Sequence, residues 1–411
     1  MSISSFYRNV PLLAFSQAMM MSSMSLILTA SALVGYALAE DKSLSTFPVA
    51  VIFITIMFTS IPASMLMQRI GRKSGFMLAT LFGVTGGAVA TIAIMQSSFW
   101  LFVGSSVFIG IFNGFGNYFR FAAADSVDHE HKSRAISLVM AGGVVAAIIG
   151  PNLANLTRDS IEGMPFAGSF MSIMVIYILA LVTLSFLKLP SQLDSSSTNK
   201  PNRVRPLFEI ARQPKFIIAL ICSMLGYGVM SFIMTATPLS MNHHAHSFSD
   251  TSFIIQWHVL GMFAPSFFTG ALIHRFGVSR IMLIGVILGF VCVATNLFGH
   301  SIYHYWLALT LLGVGWNFLF IGGTTLLTET YHPEERSKAQ AMNDFSVFTM
   351  VAIASLSAGS LQHHFDWQAV NYGVIPLLVI ILISVIWLIL NEKNLDFAPE
   401  DIKLNSRLNV D

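Results

Sequence analysis

Apolar runs of about 20 residues follow one another along this chain, separated by short polar stretches. Twelve can be drawn, at 11–37, 47–67, 76–95, 99–122, 135–156, 167–188, 216–239, 251–273, 280–299, 304–328, 339–361 and 369–390. Each is long enough to cross roughly 30 Å of hydrocarbon as an α-helix rising about 1.5 Å per residue. Inside lipid every backbone polar group needs an internal partner, which a helix provides. The pattern therefore predicts an all-α membrane protein with twelve transmembrane helices. One long polar segment, 189–214, interrupts the series and is rich in Ser, Pro and basic residues, as linkers are. It separates a six-helix half at 1–188 from a second at 215–391, which is followed by a polar tail at 392–411.

Composition points the same way. Hydrophobic residues make up 55% of the 411 and charged residues 10%, against about 25% charged in soluble domains. Charge placement adds an orientation. Of the 22 Lys and Arg, 20 fall on one side of the loop ladder, and only Lys42 and Arg158 fall on the other. By the positive-inside rule the basic side is cytoplasmic, so both termini and the linker are expected there. The opposite side collects seven of the twelve histidines: His243, His244, His246, His300, His304, His363 and His364. No cleavable leader is read at the N-terminus, and the first span is expected to serve as the insertion signal. Cys222 and Cys292 both fall inside spans and read as small core residues. No nucleotide-binding loop, hydrolase site or nucleic-acid site is legible, so the chain reads as a non-enzyme without a cofactor.

The halves repeat. SMLMQRIGRK (64–73) after the second span aligns with GALIHRFGVS (270–279) after the eighth, pairing Leu66 with Leu272, Arg69 with Arg275 and Gly71 with Gly277. Glu130, Lys132, Ser133, Arg134 and Ala135 after the fourth span align with Glu334, Arg336, Ser337, Lys338 and Ala339 after the tenth. The R-x-G-R-K loop resembles the signature of the major facilitator superfamily. That resemblance implies two pseudo-symmetric six-helix halves around a central site exposed alternately to each face. The sequence departs from the signature at Ser64 and Gln68, which stand where the family has Gly and Asp, and at His274 in the second copy. The basic residue many proton-coupled drug exporters carry early in span four is also missing, so a drug exporter is not expected. Arg120 and Asp344, near the basic ends of spans four and eleven, are candidates for an inner gate or coupling group.

Two motifs on adjacent spans carry candidate chemistry. Met230 and Met234 in span seven, and His258 and Met262 in span eight, are each spaced i, i+4, one turn apart on a helix face. The chain reverses between them, so all four fall at overlapping depths. Three thioethers and an imidazole form a soft set suited to monovalent copper. The plain alternative is methionine as gap-filling core and His258 bonded to a neighbouring helix through Gln256 or a backbone carbonyl. Met19, Met20, Met21 and Met24 form a second soft cluster, and Cys222 lies two turns below Met230.

The Met-x-x-x-Met and His-x-x-x-Met pair resembles the CcoA-type copper importers of proteobacteria, and the surrounding NYFRFAAADS and SRAISLVMAGGVVAAIIGPNLA are similar too. That resemblance implies copper import across a bacterial inner membrane for cytochrome c oxidase assembly, by a monomer that meets copper chaperones at either face. Close relatives of those importers carry riboflavin and lack the motifs, so the motifs bear the copper expectation more than the fold does. The alternative is uptake of riboflavin or another small organic solute by the same fold, with Tyr227, Phe232, Trp257, Trp316 and Phe320 available for stacking. A copper sensor would want a soluble metal domain, and the tail has neither Cys nor His.

Overall fold

The structure, a computed structural model, describes residues 3–128, 131–189 and 205–395. Most of the expected linker (190–204), the tail from 396 onward and Glu130 of the second loop repeat lie outside the described residues. Among those described there is no strand. The first half contains α1 (Ile3–Leu38), α2 (Phe47–Ile70), α3 (Arg72–Met95), α4 (Phe99–Gly116), α5 (Phe119–Asp125), α6 (Lys132–Met140), α7 (Gly142–Thr157) and α8 (Ala167–Ser185). A short α9 (Leu207–Ala211) leads into α10 (Pro214–His243), α11 (Phe248–Phe263), α12 (Ser266–Phe276), α13 (Val278–Phe298), α14 (Ile302–Thr328), α15 (Arg336–Phe365) and α16 (Trp367–Leu395).

Eleven helical stretches among the described residues are long and apolar enough to cross a membrane. They correspond to all the expected spans except the eighth, which is divided. Pro265 has no N–H to donate, so the helix breaks between α11 and α12. Asn317 of α14 braces the break: its Nδ2 donates to the Met262 carbonyl and to Ser266 Oγ, both at 2.7 Å, and its Oδ1 accepts from Thr269 Oγ1 at 2.7 Å. The sequence marks the proline but gives no sign of the asparagine 52 residues further on.

The sequence repeat is also a backbone repeat. Gly71 joins α2 to α3 at φ 84°, ψ 151°, and Gly277 joins α12 to α13 at φ 88°, ψ 151°. Side chains other than glycine rarely adopt this conformation, which explains why glycine marks the equivalent place in both copies.

In the first half α1 packs on α7 and α8, α3 on α4 and α8, and α2 on α4. In the second, α13 packs on α14 and α16, α10 on α14, α15 and α16, and α11 on α14. One buried apolar cluster is drawn almost wholly from residues 10–187, and two others almost wholly from the second half. Large apolar side chains such as Phe58, Phe298 and Leu390 remain exposed at 65%, 84% and 75%. In a bundle of this kind such side chains face hydrocarbon. The halves meet where α7 lies on α11, α2 on α15 and α1 on α10.

Candidate functional site

Those seams enclose a cavity of about 160 Å³ at the middle of the molecule. The first half contributes Gln17, Met20, Met21, Met24 and Ser25 from α1, Phe53 from α2, Asn113 from α4 and, just past its end, Asn117. The second half contributes Tyr227, Met230, Ser231 and Met234 from α10, Met262 and Phe263 from α11, and Phe348 from α15. No Asp, Glu, Lys, Arg or His lies in the lining.

Three of the four proposed soft ligands, Met230, Met234 and Met262, line this cavity, and three of the α1 methionines face it from the other half. His258 is absent from the lining. It is fully buried, and its Nδ1 lies 2.8 Å from the Leu309 carbonyl of α14. A carbonyl only accepts, so Nδ1 carries the proton, and the buried Nε2 is left without a partner. The closeness of the two helices allows this bond. A Cβ on Gly261 would lie 2.8 Å from the Thr310 carbonyl, so only glycine fits there. The plain alternative for His258, a backbone carbonyl on a neighbouring helix, is therefore the bond observed. Met19 is buried in the core of the first half and does not line the cavity, and Cys222 lies in a separate apolar cluster with Phe216 and Leu326.

Of the five aromatic residues available for stacking, three gather. Trp316 and Phe320 stack at 4.9 Å between centroids with 11° between planes, and Tyr227 meets them edge-on at 5.1 and 5.8 Å. Phe263 adds a fourth ring, 6.2 Å from Trp316. Tyr227 and Phe263 carry this cluster to the cavity surface. The other two lie elsewhere: Phe232 is near Gly373 of α16, and Trp257 packs edge-on against Trp306 at 5.7 Å.

The polar lining consists of amides and hydroxyls. Asn113 Nδ2 donates to the Ile109 carbonyl at 2.9 Å, and Ser231 Oγ shares a 3.0 Å bond with Ser355. The amides of Gln17 and Asn117 make no hydrogen bond among the described residues, and Ser25 Oγ is buried without a partner. Sequence reasoning missed Gln17, Asn113 and Asn117. Gln17 is the one amide in its apolar span, and Asn113 and Asn117 stand one turn apart in another. Such residues are a legible signal, because an uncompensated amide in a membrane helix is costly.

One end of the seam is closed. Asn152 of α7 donates to Gln256 of α11 at 2.7 Å, and Ser252 donates to the Pro151 carbonyl at 2.7 Å. Phe166 and Phe248 meet edge-on at 4.9 Å, with the Arg158 guanidinium over both rings. On the other side of the seam the Gly359 N–H donates to Thr46 Oγ1 at 3.1 Å. All of these lie toward the end that carries the histidine loops. Toward the basic end the candidate gate residues Arg120 and Asp344 make no ion pair with each other within 4 Å. Asp344 accepts from Asn343 at 3.3 Å, and Arg120 lies over the Phe121 ring.

The chain matches the Major Facilitator Superfamily over residues 13–242 and again over 219–406. The chain belongs to the major facilitator superfamily. It is 41% identical over 383 residues to the riboflavin transporter RfnT of Brucella anthropi, covering 92% of this chain and 95% of that protein. It is 26% identical over 400 residues to the uncharacterized MFS-type transporter YddS of Bacillus subtilis, with 93% and 91% covered. In three dimensions it is similar to the crystal structure of the human organic anion transporter MFSD10 (TETRAN), with a TM-score of 0.65 over 92% of this chain and 99% of that one. At 15% identity that likeness shows the fold alone. A multi-pass membrane transporter fold is thus established.

The likeness to a riboflavin transporter overturns the expectation of copper import, and with it the placement among CcoA-type importers. The physical reason lies in what i, i+4 spacing can say. It puts two side chains on one helix face, but the neighbouring elements decide what that face meets. Here His258 meets a carbonyl of α14, while the methionines meet a cavity that also holds aromatic rings and amides.

Proposed function

We propose that this transporter takes up riboflavin, or a closely similar neutral heteroaromatic solute, by alternating access. The observation that carries the reading is the 41% identity, across nearly the whole of both chains, to a protein named as a riboflavin transporter. The cavity supports it. A lining free of charge suits a neutral solute, because a charge buried there would lack a counter-charge. Methionine side chains adapt to a flat ring and make favourable sulfur–aromatic contacts. Tyr227 and Phe263 offer ring faces or edges, and Gln17 and Asn117 offer free amides for the polar edge of a heterocycle. In this reading Met230, Met234 and Met262 are cavity wall.

The membrane is a bacterial inner membrane with the basic loops inside, and 1–188 and 215–391 are the two halves that rock. The histidine end is then the outer face, closed here, and the cavity is narrower than the roughly 300 Å³ and more of sites that hold drug-sized ligands. Loading a tricyclic solute requires the halves to separate at one end.

The test is uptake of labelled riboflavin by cells that cannot make it. The parent chain should restore uptake and growth. Tyr227→Ala should raise the KM about three- to tenfold, the loss of an aromatic contact of about 0.5–1.5 kcal/mol. Uptake no greater than that of empty vector, with the protein present in the membrane, would sink the proposal.

A further inference from the structure

A second cavity, of about 470 Å³, opens at the histidine end of the same seam. Its walls come from the ends of α10 and α15, with Tyr36 of α1 and the turn after it. Its lining is more polar than that of the central cavity, and its volume is about three times as large. Its floor is the closure already described: Ser45 and Gly359 line it, and the Gly359 N–H bonds to the adjoining Thr46. The two cavities therefore lie one above the other along α10 and α15.

The lining specifies a ligand. Two formal charges border it, and both are committed to the backbone. Lys42 Nζ donates to the carbonyls of Tyr36 and Ala39, both at 2.7 Å. Asp366 Oδ1 accepts from the N–H groups of Gln368 and Ala369 at 2.7 and 3.2 Å. Apart from Leu239, the remaining side chains are rings and amides: Tyr36, His243, His363, His364, Phe365, Asn242 and Gln362. Gln362 Oε1 is buried and has no hydrogen-bond partner. An unpaired buried acceptor costs about 1–3 kcal/mol, a cost that an arriving N–H or O–H donor removes. The volume falls within the range of sites that take a whole drug-sized molecule.

We infer that this cavity is a separate outer binding site for a neutral, planar heteroaromatic solute bearing N–H donors, which rests there before the seam opens to the central cavity. The inference rests on the proposed function for the identity of the solute and on the histidine end facing outward. The half-buried Gln362 side chain turns its amide toward the cavity so that Oε1 accepts a ring N–H, and Tyr36, His243 and His363 flank the ring. The bound solute is handed inward when the Thr46–Gly359 contact parts.

Riboflavin fluorescence is suited to the test, because quenching reports binding without transport. The full-length protein in lipid nanodiscs should bind two riboflavin molecules per chain. Tyr227→Ala should remove or weaken one class of site and leave the other. Gln362→Leu should weaken the second class about tenfold, as the loss of one buried hydrogen bond predicts. Asn242→Trp, at an exposed position on the rim, should block the second class without burden on the fold. A single bound riboflavin, lost in Tyr227→Ala and unchanged in Asn242→Trp and Gln362→Leu, would overturn the outer site and leave the proposed function standing. No riboflavin bound by the parent chain would overturn both.

Discussion

His258 shows how much one residue can promise and how its neighbours decide. An ionisable side chain inside a span signals function by default, and its spacing from Met262 strengthened that signal. In the folded chain its Nδ1–H is committed to the Leu309 carbonyl and it lies outside the cavity lining. The bond links α11 to α14, and its loss should register as stability. His258→Leu is expected to destabilise the protein by about 1–2 kcal/mol, the net worth of a buried hydrogen bond plus imperfect packing. Uptake per inserted molecule should stay within about twofold of the parent. Thermal melting in detergent, paired with uptake normalised to membrane protein, checks both halves of this statement. Collapsed uptake with unchanged melting would place His258 in contact with the solute instead.

At the scale of elements, the loop repeat gives the clearest agreement between sequence and structure. Gly71 and Gly277 adopt nearly the same left-handed conformation in the two halves. A Cβ at either position would find nothing within 4 Å, so only backbone strain opposes a side chain there. Gly71→Ala and Gly277→Ala should each cost about 1–3 kcal/mol, and the double variant should cost close to the sum because the sites belong to different halves. Melting temperatures of the three variants give the answer. A double variant as stable as the parent would show that the loops relax into another conformation. The break between α11 and α12 was half legible: Pro265 is visible in the sequence, whereas Asn317, which satisfies the freed groups, comes from a helix later in the chain.

For the molecule as a whole, the connection entering the second half is held by a clamp that the sequence did not reveal. Arg205 grips Glu335 through Nε at 2.9 Å and Nη2 at 2.6 Å, and its backbone N–H donates to the same carboxylate at 2.9 Å. Nearby, Lys215 pairs with Glu329 at 2.9 Å. The Arg205 guanidinium, with the N–H groups of His332 and Arg205, holds the Glu335 carboxyl down at about 2, against an ordinary value near 4.5. A depressed carboxylate contributes stability that is fully present above about pH 4.5 and is lost as pH falls toward 2. Glu335→Gln should therefore lower the melting temperature at pH 7 and narrow the gap to the parent by pH 3. The cost at neutral pH should be about 1–2 kcal/mol, since the partly exposed Arg205 keeps its charge and water takes up part of the lost interaction. A gap that stayed constant with pH would assign the clamp to packing alone.

Apolar run length set the class of the protein and the twelve segments, because a bilayer of fixed thickness leaves a chain few ways to satisfy its backbone. The repeated loops set the two-half arrangement, because a backbone that only glycine tolerates leaves glycine in both copies. Periodicity also placed Met230, Met234 and Met262 on faces that do reach the central cavity. It could not place His258, or show that Tyr227, Trp316 and Phe320 would gather while Phe232 and Trp257 would not. Nor did it find the amides of Gln17, Asn113 and Asn117, which meet the methionines only across the seam. Spacing along one helix fixes which side chains share a face. Only the packing of the other helices decides whether that face meets a carbonyl, a cavity or lipid, and the chemistry of the site follows from that choice.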